Sequence, residues 1–375
     1  MIDAADAEHA ILHKDPFAYS AHPQIAVAAN AEWLLVFNKA LRRPFILHPP
    51  EEPLFRNVVM RSRDRGATWS APEVVPNYDW HGTECASLTA LADGRMMLNQ
   101  WRFRWYPLGL ARRLRRPETL VFPDVLLRGW AQSPEHDADA YRAAPPEQLA
   151  PWARGGGECA VHFSDDDGQS WADSVLIDTA PYSGGYGMRG ACQLPNGDLL
   201  LPLSDVPNYR VVFVVRSRDG GRNWCKPVEV ARRDGSAFEE PSLVRLPDGR
   251  LLMLMRDNGT RYLHRSMSDD GGESWSPPRR LPIEGYPPHL LLLSDGRVLC
   301  TYGWRQPDFG IRAVLSHDGG ETWDVERTIR IRGGLPNKDL GYPCTLLDSD
   351  GSLFTVYHGQ DVDGVTCIWG TRWRL

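Results

Sequence analysis

Short apolar runs separated by a polar two-residue turn recur along the whole chain. The pattern is apolar run, Asn/Asp–Gly (once Asn–Ala), apolar run. It is centred on Asn30, Asp93–Gly94, Asn196–Gly197, Asp248–Gly249, Asp295–Gly296 and Asp350–Gly351. An Asn/Asp–Gly pair between strand-like runs is the strongest short-range signal for a β-hairpin, because glycine enters the positive-φ region that a tight turn needs. A second repeat alternates with the hairpins. Ser-x-Asp-x-Gly-x-x-Trp is written five times, at Ser62–Trp69, Ser164–Trp171, Ser217–Trp224, Ser268–Trp275 and Ser316–Trp323. This box also predicts a turn: Asp folds its carboxylate onto nearby backbone N–H groups, Gly supplies positive φ, and Trp packs the turn onto the sheet. The boxes start 102, 53, 51 and 48 residues apart. Since 102 is close to two periods, one unit of roughly fifty residues repeats.

Six hairpins and five boxes predict six sheets of about four short strands, arranged radially so that few edges are exposed. The expected fold is all-β, a six-bladed β-propeller formed by residues 1–375 as one domain, with a last blade that lacks the box. Ala10–His13 is expected to add a strand that closes the ring against the final blade, which runs from Tyr342 to a strand over Cys367–Trp373. One interval breaks the period. Some 70 residues separate Gly94 from the second box, where later blades use roughly 20. The excess, about 102–158, is read as an insertion within blade 2, rich in Arg, Pro and Ala, with a short helix around 138–149. Such insertions serve as lids, oligomer contacts or solvated excursions.

Bulk properties narrow the partners. A net charge of −6 and a pI near 6.0 argue against nucleic acid. No apolar run approaches the roughly 20 residues that span a bilayer. The start MIDAADAEHAILHKDP has no basic region followed by an apolar stretch, as a secretory signal would. Seven cysteines without a CxxC pair read as reduced core thiols. A cytoplasmic location is therefore expected, an extracytoplasmic one remaining open for a chain whose leader has been removed. The histidines are scattered, with no HxxxH spacing, and neither a metal nor another cofactor is expected.

The repeat geometry then selects candidate residues. In each hairpin the start of the first strand and the end of the second lie on one face of the ring. The Asn/Asp–Gly turn lies on the other, and the boxes fall there too, so the boxes are expected to be structural. Strand starts bring His22, Glu84, Arg189, Glu240, His289 and Tyr342 to the pocket face, with His81 just ahead of Glu84. Strand ends bring Asn38 with Arg42 and Arg43, Trp101 with Arg102, Asp205, Arg256, Tyr302 with Arg305, and His358. Ionisable side chains converging on one axis persist only when paired or used, so they predict a site. Several Arg around few carboxylates suit an anionic ligand, since guanidinium presents a planar fork to a carboxylate. Glu240 and Arg256 stand at the two ends of one hairpin, and Tyr342, two blades on, is close enough across a narrow axis to meet Glu240. Competing structural readings are hydrogen-bonded core imidazoles for His22 and His289, a loop-fixing pair for Glu84 and His81, and solvent exposure for Arg42 and Arg43.

The boxes, the stretch EEPSLVRLPDGRLLMLMR and the stretch GYPCTLLDSDGSLFTVY resemble the sialidase (neuraminidase) superfamily of six-bladed propellers, in its bacterial BNR/Asp-box-repeat branch. The resemblance covers the chain apart from the insertion. It implies that Tyr342 is the nucleophile and Glu240 the group that polarises it, a known exception among retaining glycosidases. A neutral phenol activated by a carboxylate avoids repulsion with the substrate's own carboxylate. It also implies that Arg256 and Arg305 are two of the family's three carboxylate-binding arginines. Two positions depart. Where the family has Arg-Ile-Pro this chain has His22-Pro23-Gln24, so Arg42, Arg43 or Arg189 would have to replace the first arginine. The loop that carries the family's acid/base Asp reads HPPEEPLF and offers His48, Glu51 and Glu52, with Glu52 or His48 as proton donor. The implied activity is removal of a terminal acidic sugar, sialic acid or a relative, with retention. Two alternatives stand beside it: a polysaccharide lyase or rhamnose/uronate-type glycosidase using the extra histidines, and a non-catalytic carbohydrate-binding propeller. The expected partner is an anionic carbohydrate, with no nucleic acid or membrane, and with the insertion as a possible homo-oligomer contact.

Overall fold

The computed structural model describes residues 1–42, 52–77, 81–114, 120–127, 145–206 and 208–375. Its strands form six sheets that follow one another around a ring. Blade 4 is the regular case, with Phe238–Arg245, Leu251–Asp257, Tyr262–Ser268 and Arg279–Glu284 paired antiparallel in chain order. The innermost strands of the other blades are Ala18–Val27, His81–Ala90, the short pair Gly185–Tyr186 and Cys192–Gln193, Pro288–Leu292 and Leu340–Leu347. The apolar runs bury between sheets. Phe37, Val58 and Met60 of blade 1 pack on Phe354, Val356 and Ile368 of blade 6, and Leu252 and Leu254 of blade 4 pack on Leu290, Val298 and Cys300 of blade 5. All seven cysteines are free thiols.

The leading segment closes the ring, over a longer strand than its apolar tetrad alone predicts. Ala5–His13 pairs antiparallel with Thr366–Arg374, the outer strand of blade 6. Ile2–Asp3 pairs parallel with Ile329–Arg332 at the edge of blade 5. The first residues thus stitch two blades together.

The boxes are turns with one repeated wiring. In the fifth, Ser316 Oγ donates to Asp318 Oδ1 at 2.8 Å and accepts from Gly320 N–H at 2.8 Å, while Thr322 N–H donates to Asp318 Oδ1 at 2.9 Å. Gly320 has φ +89°, and a Cβ there would stand 2.6 Å from Leu252 of the preceding blade. The box therefore lies against its neighbour's hairpin. An arginine from that neighbour completes the contact: Arg265 donates to Gly320 O, as Arg216 does to Gly271 O, Arg95 to Gly220 O, Arg61 to Asp167 O and Arg372 to Arg65 O. Each box is a clip between blades on the face away from the pocket. Asp318→Ala should lower stability by about 2 kcal/mol, a few degrees in Tm, through loss of its three hydrogen bonds. Calorimetry checks this, with turnover expected to stay unchanged.

In blade 2 the second and third strands, Met96–Pro107 and Trp152–Ser164, run well beyond those of blade 4. Both ends of the 102–158 excess are therefore ladder, an extension of the ribbon. Between them the described residues hold helical turns at Leu108–Ala111, Pro123–Leu126 and Pro146–Leu149. Of the helix expected around 138–149 the described residues show a single turn, Pro146–Leu149, which starts after an extended Pro145; residues 128–144 lie outside the described residues. Leu126, Leu127 and Ala150 pack with Trp101, Phe103 and Trp105, so this part of the insertion is anchored on its own blade.

Candidate active site

Counting from the turn glycine shows how the blades aim side chains at the axis. Nine residues before the turn glycine (Ala31 in blade 1) stand His22, Cys85, Met188, Glu240, Pro287 and Tyr342; seven after it stand Asn38, Trp101, Ser204, Arg256, Gly303 and His358. Four of the first set, His22, Cys85, Glu240 and Tyr342, have φ of +53° to +55°. Each lies where the ladder slips by a bulge. A bulge breaks the strict alternation of a strand and re-aims its side chains, and left-handed backbone at a non-glycine residue is strain that marks functional sites.

His22, Glu84, Trp101, Glu240, Arg256, Arg305 and Tyr342 line one axial cavity of about 240 Å³, together with Tyr186, Tyr209 and Glu239. At its centre the Tyr342 hydroxyl donates to Glu240 Oε1 at 2.6 Å. Arg256 Nη1 donates to the other oxygen, Glu240 Oε2, at 2.8 Å, and its guanidinium lies 4.0 Å over the Tyr286 ring. Arg305 donates from Nε to Leu340 O at 3.0 Å, with its guanidinium 5.7 Å from the Tyr342 ring. The His22 ring is 4.0 Å from that of Tyr342, and its Nδ1 is 3.6 Å from Glu84 Oε1. Glu239 accepts from the Tyr186 hydroxyl at 2.9 Å and from Asn258 Nδ2.

The electrostatics separate the carboxyls from the phenol. Burial, and then the charge of Glu240, push the Tyr342 hydroxyl well above its ordinary value. Burial opposes the charge on Arg256, but Glu240, Tyr342 and Glu239 outweigh it and hold the guanidinium firmly protonated. Burial raises Glu239 to about 7, with Arg256 opposing and Glu240 adding to the shift. His22, Glu84 and Cys85 place ligand-type atoms within 4.8 Å of one another. Burial pushes the Cys85 thiol well above its usual value, which opposes thiolate coordination.

Other sequence candidates lie elsewhere. Arg189 and His289 stand eight and seven residues before their glycines, one and two positions deeper along the axis. Arg189 crosses from blade 3 to donate twice to Pro288 O, at 3.1 and 2.8 Å. His289 accepts from Thr345 N–H, and burial lowers its pKa strongly. Tyr302 is one residue short of the seventh position, so strand alternation turns it into the core between blades 4 and 5. Asp205 is one past it and caps Arg210 and Val211 N–H. His358 lies behind the cavity, its ring 5.6 Å from Tyr342 and its Nδ1 accepting from His22 N–H. Arg42 is exposed and donates to Gly364 O, away from the axis. Glu52 is buried and caps Leu54 N–H. His81 belongs to a second cleft further out on blade 2. Arg43, His48 and Glu51 lie outside the described residues. Among the described residues the expected excess of arginine does not line the cavity, where three carboxyls meet two guanidinium groups, because Arg42 is at the surface and Arg189 lies deeper.

Among the described residues, sequence reasoning passed over three that line the cavity. Glu239 neighbours Glu240, and strict alternation would turn it away; only the bulge brings both inward. Tyr186 has the parity of Met188 and could have been found from the repeat. Tyr209 follows a strand end, with no repeat position to point to it.

The comparisons with known proteins agree with this architecture. The family model described as a BNR repeat-like domain matches residues 147–355, more than half of the chain. The anhydrosialidase of Macrobdella decora is 30% identical over 164 residues, 42% of this chain and 20% of that protein, so the match spans about a fifth of the relative's length. Among solved structures, a Dyadobacter fermentans protein of unknown function superposes with a TM-score of 0.80 at 21% identity, covering 98% of both chains. A mutant of the NanB sialidase from Streptococcus pneumoniae gives 0.70 at 13% identity, over 97% of this chain and 70% of that one. The fold also extends to an α-L-arabinanase from Penicillium chrysogenum, with a TM-score of 0.62, 14% identity and coverage of 98% and 97%. With its six bladed sheets, its boxes and the extent of the family match, the chain belongs to the BNR repeat-like domain family, as a sialidase-like β-propeller.

Proposed function

We propose that the axial cavity is the active site of a retaining exo-glycosidase that releases a terminal acidic sugar. The observation that carries this reading is the 2.6 Å hydrogen bond from Tyr342 to Glu240 in a cavity open to solvent. Tyr342 Oη attacks the anomeric carbon while Glu240 Oε1 takes its proton, so the rise in basicity coincides with bond formation. Arg256, bound to Glu240 Oε2, keeps that carboxylate turned toward the phenol. Arg305 and the outer face of Arg256 meet the sugar's carboxylate, with His22 in the place of the missing arginine. Water then cleaves the glycosyl–tyrosine bond and regenerates the pair.

The leaving oxygen needs a proton, and Glu239, which lines the axial cavity, is assigned as its donor in place of Glu52, which is not among the described lining residues. A carboxyl raised to about 7 is protonated below that pH and lost as a donor above it. The expected result is a kcat/KM that falls as pH rises through about 7. Glu239→Gln should flatten that limb and slow unactivated substrates about 10²-fold. A pH profile that is level between 5 and 9 in the unaltered protein would remove the assignment.

The substrate is tested with a panel of 4-methylumbelliferyl glycosides of N-acetylneuraminic, glucuronic and neutral sugars, the first-formed anomer being read by NMR. Release with retention from an acidic sugar is expected. The tilted contact of the His22 ring with Tyr342 beside Glu84 favours, as a second reading, β-elimination from a uronate with histidine and tyrosine as base and acid. That reaction leaves an unsaturated uronide with its own ultraviolet absorbance. Binding of these sugars without any product would replace both readings with a carbohydrate-binding role.

A further inference from the structure

The blade 2 ribbon does more than deliver Glu84 and Trp101 to the axis. Further out, its long strands build one wall of a second cavity of about 350 Å³, faced by Trp105, Tyr106 and Trp152, with Leu54 opposite and Arg56 and His81 supplying the polar groups. The regular blade needs none of this, since the second strand of blade 4 ends at Asp257 after seven residues, against twelve in Met96–Pro107. The additional length is what creates the cleft. Its aromatic wall is fixed: Trp105 and Trp152 meet edge-on with centroids 6.2 Å apart, and Trp105 is buried. Tyr106 and Trp152 remain partly open to solvent.

We propose that this cleft binds the leaving-group portion of an oligosaccharide, as neutral sugar units, while the terminal sugar occupies the axial cavity; this rests on the glycosidase reading above. Two observations support it. The first is continuity. Glu84 pairs with Trp101 at the cavity, and His81 pairs with Arg104 three positions further along the same two strands. At about 3.3 Å per residue the cleft lies roughly 10–13 Å out from the cavity, within reach of a short sugar chain. The second is composition. Apolar pockets with a few placed polar groups are the usual form of a small-ligand site, and flat aromatic faces match the C–H faces of pyranose rings.

The test uses the full-length chain and two probes that differ only in what leaves. For Trp152→Ala, KM for 3′-sialyllactose should rise about tenfold, while KM for 4-methylumbelliferyl N-acetylneuraminide, which has no leaving sugar, should stay within about twofold. Tyr106→Ala should act in the same direction, and unchanged Tm values will show that both variants fold. Equal changes for the two probes, or none for either, would overturn the proposal. Lactose titrated calorimetrically into the unaltered protein and into Trp152→Ala decides the matter independently of turnover. Weaker binding in the variant supports the cleft even if neither glycoside is cleaved, in which case it is the glycosidase reading that fails. No lactose binding to the unaltered protein refutes the cleft even if both glycosides are cleaved.

Discussion

Tyr342→Phe should lower turnover by at least about 10³-fold on whichever glycoside the panel identifies, while the sugar still binds. The substitution removes one oxygen, the atom proposed to form the covalent bond. What surrounds it stays in place. His22 keeps a ring to pack against at 4.0 Å, Arg256 still holds Glu240 Oε2, and the left-handed backbone at residue 342 is imposed by the bulge. Glu240 Oε1 loses its buried donor, which costs about 1–3 kcal/mol and lowers Tm by a few degrees at most for a chain of this size. Two measurements settle the role together: kcat on the cleaved glycoside, and the calorimetric Kd of the free sugar. A variant that retains a tenth of the activity would end the tyrosine mechanism. A variant that neither binds nor melts near the original Tm would show only that residue 342 is structural.

The difference between blades and site explains how much could be read in advance. Blade number, hairpin turns, boxes and the closing strand were legible because each depends on local turn chemistry. Asp248–Gly249 must turn, and so must Ser316–Trp323, whatever packs around them. The inner register was legible too, but only to within a residue or two. Counting nine back and seven forward from the turn glycine recovers His22, Trp101, Glu240, Arg256 and Tyr342, whereas a slip of one or two positions selected Arg189, His289 and Tyr302. In a strand, one position is the difference between the axis and the space between blades. The bulges were not legible. They occur in four of the inner ladders, and the one in blade 4 brings Glu239 and Glu240 to the same cavity. The expected charge balance failed for the same reason. Composition counts arginines, but only the fold separates Arg256 and Arg305 at the cavity from Arg42 at the surface. The arginine clips on the boxes were likewise invisible, since each reaches a box that lies some fifty residues or more away in the chain.

Deleting residues 1–13 should cost the protein its cooperative fold. Ala5–His13 is the fourth strand of blade 6, paired along Thr366–Arg374 from Ala5 opposite Arg374 to His13 opposite Ile368. Its contribution is more than a ladder. Leu12 packs on the cluster of Phe354, Val356 and Ile368, and Gly370 leaves the room it needs, because a Cβ there would stand 3.0 Å from Leu12 Cδ1. Ile2–Asp3 ties the same segment to blade 5, where Arg330 bonds Asp3 at 2.6 Å. Without these strands Thr366–Arg374 becomes an exposed edge, an open template for pairing between molecules. The loss of one strand's hydrogen bonds and apolar contacts amounts to several kcal/mol, comparable with the whole stability of a typical domain at about 5–15 kcal/mol. The shortened chain should therefore aggregate, or melt at least about 10 °C lower over a broadened transition. It should also lose activity, because Tyr342 and His358 stand on the sheet that has lost its outer strand. Scanning calorimetry and sedimentation velocity read both effects, and a synthetic peptide of residues 1–13 should restore part of the lost Tm when added in excess. A shortened chain that melts within about 2 °C of the full one, as a monomer, would mean that the ring is held shut by its inter-blade clips and core alone.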